Sequence, residues 1–306
     1  MKGIATEQMT LGSSDLRVSA LGLGTNSWSY NNEPNPELQS TLLTALNLGI
    51  NFFDTAEIYG LGGSERRLGQ IMQETGQRPI IATKFMPLPW RLAKSSLARA
   101  LRDSLKRLRT TQVDLYQIHF PFPPVAIETW MDALADAVQA GLTRAVGVSN
   151  YNAEQLKQAH TVLAKRGIVL ASNQVEYSLL KREVERNGLL TLCRELNVTL
   201  MAYRPLARGL VSGRYTPENP PKGLRDRLYS REYLRRIQPL NDRLRQIGEA
   251  HDKTSSQVAL NWLICKGALP IPGATSVRHT QENAGALGWR LGENEVAALD
   301  ETSAEI

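Results

Sequence analysis

Residues 143–174 read TRAVGVSNYNAEQLKQAHTVLAKRGIVLASNQ. TRAVGVS (143–149) is a short β-like run that ends on the polar pair Ser149 and Asn150. Residues 153–166 form a helical segment that stops at Gly167, a residue suited to a helix C-terminus. A second β-like run follows at 169–174. This is one strand–helix–strand unit, and the same alternation extends in both directions.

Toward the N-terminus, strands are expected at 20–24, 50–54, 80–84 and 115–119, separated by helices at 36–48, 64–72 and 94–108. In the last of these, Leu97, Leu101, Leu105 and Leu108 fall on one face. A helix at 126–140, ending at Gly141, leads into the quoted unit. Beyond it come a helix at 183–196, a strand at 199–203, helices at 239–251 and 255–265, a strand at 269–272 and helices at 278–287 and 293–304. A small hairpin is read over 10–19, and 204–235 is irregular and arginine-rich. Eight strands at βα spacing with no Pro/Gly/Ser linker predict one domain over 1–306. The expected fold class is α/β, a (β/α)8 TIM barrel with an N-terminal β-hairpin, a long loop after strand seven and an extra C-terminal helix. No GxGxxG follows the first strand, which argues against an open dinucleotide-binding sheet.

Composition sets outer limits. The chain has 306 residues, 42% hydrophobic and 22% charged, an ordinary globular balance that excludes collagen-like and highly charged disordered chains. No apolar stretch reaches the length of a membrane span, and the opening MKGIATEQMTLGSSDLRV lacks the apolar core of a secretory signal. Two cysteines, Cys193 and Cys265, are too few for a disulfide framework and lack metal-ligand spacing. A cytoplasmic location and no metal are therefore expected. The net charge of +6 is spread along the chain, which gives no nucleic-acid arm.

In a barrel of this kind the active site lies at the C-terminal ends of the strands. The polar residues there are Gly24 and Thr25, Asp54 followed by Tyr59, Lys84, His119, Ser149 with Asn150, Gln174 and Tyr203. Asp54, Lys84 and His119 each end an apolar run, where ionisable groups need a reason to gather. Together with Tyr59 they suit delivery of a proton to a carbonyl oxygen. A free tyrosine titrates near ~10, and an adjacent ammonium is expected to lower that value. Tyr59 is then the general acid, Lys84 its charged partner, Asp54 the carboxylate holding the lysine, and His119 the group orienting the carbonyl. Taken singly, each has a plain structural reading as a turn cap, packed ring, strand-end cation or satisfied polar residue. Only the joint arrangement carries the chemistry.

Several segments carry a resemblance: LGLGT (21–25), NFFDTAEIYG (51–60), ATK (82–84), DLYQIH (114–119), VGVSN (146–150), NQVEYSLL (173–180), AYRPLARGLVSGRY (202–215) and IPGATSVRHTQEN (271–283). Over nearly its whole length the chain resembles the aldo-keto reductase superfamily, and within it the bacterial, chloroplast and potassium-channel β-subunit branches. The resemblance implies NADP(H) bound in extended form, hydride transfer to an aldehyde or ketone, and a tetrad of Asp54, Tyr59, Lys84 and His119. It also implies cofactor contacts. Gly24, Thr25 and Asp54 lie at the reacting end; Ser149, Asn150 and Gln174 hold the nicotinamide amide; Tyr203 stacks on the ring. Leu206, Arg208, Gly209 and Arg214 would follow the pyrophosphate, and Gly273, Thr275, His279, Glu282 and Asn283 the adenosine end.

Three residues depart from the family pattern. Arg204 stands where serine or glycine is usual, and either contacts the pyrophosphate or projects into solvent. His279 replaces a glutamine or arginine, and Gly273 replaces a lysine of the vertebrate branch. NAD(H) therefore stays open beside NADP(H), with Arg278 or the arginines at 225–227 as replacement cations. Trp28 and Trp90, with Tyr30, Phe85, Phe120 and Phe122, are read as an apolar wall around a small carbonyl substrate. A cofactor-sensing binding protein with little turnover is the rival reading. A monomer is the expected state, without membrane or nucleic-acid partners.

Overall fold

The computed structural model describes residues 7–221 and 229–306. The chain opens with an antiparallel hairpin of β1 (Gln8–Thr10) and β2 (Arg17–Ser19). Eight parallel strands follow: β3 (Leu23–Gly24), β4 (Phe52–Asp54), β5 (Ile80–Phe85), β6 (Val113–Ile118), β7 (Thr143–Ser149), β8 (Leu170–Glu176), β9 (Thr199–Tyr203) and β10 (Leu269–Ile271). Each pairs with its sequence neighbour, from β3 through to β10. The Gly22 N–H donates to Pro270 O at 3.0 Å and the Gly24 N–H to Pro272 O at 2.9 Å, which brings the last strand against the first. The expected (β/α)8 barrel is the observed one, with the hairpin at its start.

The helices are α1 (Pro36–Asn47), α2 (Gly63–Thr75), α3 (Lys94–Leu108), α4 (Ile127–Gln139), α5 (Ala153–Lys165), α6 (Glu183–Arg186), α7 (Leu189–Glu195), α8 (Arg231–His251), α9 (Ser255–Cys265), α10 (Val277–Ala284) and α11 (Glu293–Ala304). Local chemistry sets their ends. The Asn152 side chain accepts from the Gln155 N–H, while the Gln155 side chain accepts from the Asn152 N–H, and this capping box starts α5. Thr254 and Gln257 do the same for α9.

Two helices differ from the sequence expectation. The helix read over 183–196 breaks into α6 and α7, because Gly188 adopts the left-handed conformation at φ 75°. The helix read from 239 begins at Arg231 instead. Ser230 caps it, accepting from the Tyr233 N–H, and the buried stripe Leu234, Ile237, Leu240 and Leu244 carries it through Pro239. Packing outweighs the hydrogen bond that a helical proline forfeits. The long connection after β9 is accordingly shorter than expected. Its first part forms a 3-10 turn at Ala207–Gly209, anchored by the buried Leu210 and Val211.

The core has two layers. Outside the barrel, helix faces pack against the strands. Inside, the hairpin side chains Leu11, Leu16 and Val18 plug the N-terminal mouth against Phe52, Ala82, Leu115, Ala145, Ala171 and Met201. Full burial of such side chains contributes about 1.5–3 kcal/mol each. At Gly12 (φ 56°) a Cβ would come within 2.4 Å of Ala171 O, so only glycine lets the plug seat.

Two residues further along the strands the interior turns polar. Lys84, Gln117, Gly147 and Ser172 are register partners around the barrel wall. A Cβ on Gly147 would reach 2.3 Å from Ser172 Oγ, so the glycine makes room for this layer. Lys84 of this layer and the residues at the C-terminal ends of the strands form the candidate site.

Candidate active site

Lys84 is fully buried, and its ammonium has three partners. It donates to Asp54 Oδ2 at 2.7 Å, to Thr55 O at 2.8 Å and to the Tyr59 hydroxyl at 3.5 Å. The second carboxylate oxygen, Asp54 Oδ1, accepts from Gln174 Nε2 at 2.8 Å. Strands place Asp54, the last residue of β4, Lys84, the last but one of β5, and Gln174, two residues before the end of β8. Tyr59 arrives on the turn after β4, where Gly60, Leu61 and Gly62 all take positive φ values.

Burial raises the Tyr59 pKa above the ordinary tyrosine value, and the Lys84 charge only partly opposes this. The expected lowering is thus reversed: desolvation of the phenolate outweighs the ammonium. For Lys84, burial disfavours the ammonium, but the charge of Asp54 and the hydrogen bonds outweigh it and the pKa rises. Near neutral pH the pair is therefore a protonated phenol beside a charged lysine.

His119 meets Tyr59 edge to face, with ring centroids 5.9 Å apart. Burial, and then the Lys84 charge, lower its pKa to about 3, so the imidazole is neutral at physiological pH. This has a stability consequence. The folded pKa lies below the free value of 6.5, so stability is full above 6.5 and is lost as pH falls toward about 3. His119→Asn is expected to flatten the acid limb of stability by up to about 1.4 kcal/mol per pH unit. Urea unfolding between pH 4 and 7 checks this; an unchanged slope would show that His119 is not buried neutral.

Around the tetrad, side chains fix one another. Asn150 Nδ2 donates to His119 O at 3.0 Å and to Ser149 Oγ at 3.1 Å. Its Oδ1 accepts from the Tyr203 hydroxyl at 2.9 Å. Ser149 Oγ donates to Gln174 O at 2.8 Å. Gln174 Oε1 accepts no hydrogen bond among the described residues.

These groups floor one end of a cavity of about 1010 Å³. Asp54, Tyr59 and His119 line it, as do Gly24, Ser149, Asn150, Gln174 and Tyr203. It continues past Arg204, Leu206, Arg208, Gly209 and Arg214 to Gly273, Thr275, Arg278, His279, Glu282 and Asn283. Ser276 caps α10 at the far end, accepting from the His279 N–H. Lys84 lies behind Asp54, outside the lining.

Other expected residues sit elsewhere. Thr25 is buried away from the cavity, its hydroxyl bonded to Asp54 O at 3.0 Å and to Ser64 Oγ at 2.8 Å. It braces the Asp54 strand end and does not line the cavity. Trp28 is 1% exposed and donates its indole N–H to Ala274 O at 2.7 Å, which makes it core and not wall. Trp90 is 74% exposed and does not line the cavity. Phe85 is packed edge-on against Trp130. Phe120 does line the cavity, stacked on His119 at 5.2 Å, with Phe122 stacked on it at 4.8 Å. Arg225 and Arg227 lie outside the described residues.

Sequence reasoning passed over two supports. Glu57 accepts from the Met86 N–H at 2.7 Å and pairs with Arg91, tying the loop after β5 to the Tyr59 turn. Arg67 is 1% exposed and donates to Ser29 O, Glu33 O and Asn31 Oδ1, pinning the loop after β3. The only signal for either was a charged residue placed among buried neighbours.

Among the described residues, no group of three or more His, Cys, Asp or Glu side chains is arranged to hold a metal ion. No described helix is long and apolar enough to cross a membrane.

A barrel with this ring of residues at its C-terminal mouth is an oxidoreductase scaffold, and comparison with known proteins agrees. The Aldo/keto reductase family model matches residues 20–304, and the chain belongs to that family. It is 39% identical over 309 residues to the chloroplastic pyridoxal reductase of Arabidopsis thaliana, covering 95% of this chain and 84% of the relative. An aldo/keto reductase of Klebsiella pneumoniae, solved with NADP and acetate, superposes with a TM-score of 0.75 at 31% identity, covering 96% of this chain and 95% of that one. The glycerol dehydrogenase of Gluconobacter oxydans superposes with a TM-score of 0.86 at 26% identity, covering 99% and 96%.

Proposed function

We propose that residues 1–306 act as one barrel domain that reduces aldehydes or ketones to alcohols with NADPH, Tyr59 supplying the proton. The observation that carries this reading is the ammonium of Lys84, whose three donors end on Asp54, Thr55 O and the Tyr59 hydroxyl. The cavity suits an extended dinucleotide. Gln174 Oε1 is free to accept at one end, and Arg208, Arg214 and Arg278 offer positive charge along the rest. The NADP-bound Klebsiella neighbour supports the same cofactor. NADH remains a cofactor to test, since the set toward the adenosine end mixes Arg278 with Glu282.

Bound NADPH supplies a hydride to the carbonyl carbon. Ser149, Asn150 and Gln174 would hold the nicotinamide amide, and Tyr203, fixed by its hydrogen bond to Asn150, would offer its ring face. Leu206, Arg208, Gly209 and Arg214, which line the cavity, would hold the pyrophosphate, and Gly273, Thr275, His279, Glu282 and Asn283 the adenosine end. Tyr59 donates its proton to the carbonyl oxygen as negative charge develops there. Lys84 stabilises the phenolate that remains, and Asp54 keeps Lys84 charged and aimed. Neutral His119 orients the carbonyl. Phe120 beside it gives an apolar face for an aromatic aldehyde, in line with the pyridoxal reductase relative. The two free cysteines suit a reducing cytoplasm, and a monomer is sufficient for the chemistry.

Absorbance at 340 nm tests the proposal, with NADPH or NADH and a panel of 4-nitrobenzaldehyde, pyridoxal and methylglyoxal. Turnover with a preference for NADPH is expected. Tight NADPH binding without turnover of any aldehyde would leave a cofactor-sensing binding protein instead.

A further inference from the structure

Arg204 is the residue at the cavity mouth that the proposed chemistry leaves without work. Its backbone is left-handed at φ 52°, a strained conformation for a side-chain-bearing residue, and Pro205 follows it directly. The guanidinium lies over the Tyr203 ring, 5.7 Å from its centroid. Tyr203 in turn bonds Asn150, which bonds His119 O. Arg204 therefore stands one ring and two hydrogen bonds from the backbone carbonyl of His119, and both residues line the same cavity.

Its partner is Glu176, the last residue of β8. The contact is long and uses one nitrogen, Nη1, at 3.3 and 3.4 Å from the two carboxylate oxygens. The side chains are 45% and 34% exposed, so this pair contributes little to stability. Nε and Nη2 donate to nothing among the described residues. They remain free for the two-pronged recognition of a carboxylate or phosphate at which arginine excels. The other cavity arginines, Arg208, Arg214 and Arg278, belong to the connection after β9 and to α10. The β6 side of the mouth is apolar, with Phe120 stacked on His119 and Phe122 on Phe120.

We infer that Arg204 receives an anionic substituent of the substrate, so the preferred substrates are aromatic aldehydes carrying a carboxylate or phosphate. Glu176 holds the guanidinium over Tyr203 in the free protein and competes with the incoming anion. This rests on the reductase reading above. The cofactor's own phosphates are the other source of the same chemistry, and the experiment separates the two.

The test compares 4-carboxybenzaldehyde with its neutral methyl ester, methyl 4-formylbenzoate, using the full chain and NADPH. Arg204→Gln is expected to lower the acid-to-ester ratio of kcat/KM at least about tenfold, mainly through KM of the acid. Glu176→Gln is expected to raise the same ratio. NADPH affinity, read by fluorescence quenching, should shift less than the ratio does. An unchanged ratio in both variants would overturn the inference. Equal losses on acid and ester together with weakened NADPH binding would also overturn it, by assigning Arg204 to the cofactor. If the parent chain turns over neither aldehyde, the reductase reading fails by itself. Calorimetric binding of 4-carboxybenzaldehyde to the NADP+-loaded chain then still decides on Arg204: weaker binding to Arg204→Gln supports the inference, and equal binding ends it. Should Arg204→Gln fold poorly, the sign of the Glu176→Gln effect decides.

Discussion

Tyr59→Phe is expected to lower kcat for aldehyde reduction by about 10²–10⁴-fold, the range for loss of a positioned proton donor. NADPH binding and the unfolding midpoint should stay close to those of the parent chain. The Tyr59 hydroxyl is bonded to Lys84 only at 3.5 Å, so removing it costs the ammonium its weakest partner. The pH profile adds a second readout. Because burial raises the Tyr59 pKa, the phenol stays protonated through neutral and mildly alkaline pH. Reduction should fall only above the ordinary tyrosine range. Oxidation of the alcohol, which needs the phenolate, should rise over the same interval. His119 titrates at about 3 and adds no limb near pH 6–7. Wild-type-like turnover in Tyr59→Phe would remove Tyr59 as the donor.

The second large effect concerns the ion pair beneath that tyrosine. Lys84→Met leaves the Asp54 carboxylate, 5% exposed, with only the Gln174 amide as partner. Breaking a buried pair on one side costs about 3–5 kcal/mol. Urea unfolding should show a loss of that order, and turnover should fall together with stability. A double variant separates the two effects. Lys84→Met with Asp54→Leu removes both charges, so most of the stability is expected to return. Turnover should not return, because the ammonium beside the Tyr59 phenolate is gone. Recovery of activity together with stability would mean that the pair is structural and not catalytic.

Much of the site was readable because a barrel concentrates function at one end of every strand. Asp54, Lys84 and His119 each end an apolar run, Ser149 and Gln174 close β-like runs, and those positions are visible in a linear pattern. Tyr203 was legible for the same reason. Asn150 was found as a neighbour, yet its use of three partners depends on the ends of β6, β7 and β9 meeting at the barrel mouth. The aromatic wall was misread in part. Trp28 and Trp90 both follow strands, and sequence position treats them alike. The first is buried by a hydrogen bond to Ala274, which is 246 residues away in sequence, and the second is exposed. Local caps mark the starts of α1, α5 and α9, whereas the start of α8 at the Ser230 cap was missed because packing carries that helix through Pro239.

The sequence by itself determined the fold class and singled out Asp54, Tyr59, Lys84 and His119, which the barrel brings together at one mouth. Both rest on periodic, local properties: side chains alternate with strand and helix, and polar residues interrupt apolar runs at fixed points. Only the tertiary structure decided the electrostatics. The sign of the Tyr59 shift depends on how far water is excluded from its hydroxyl, against the pull of one buried ammonium. The neutrality of His119 has the same origin. Burial is a property of every element packed around a group, and no stretch of sequence contains it.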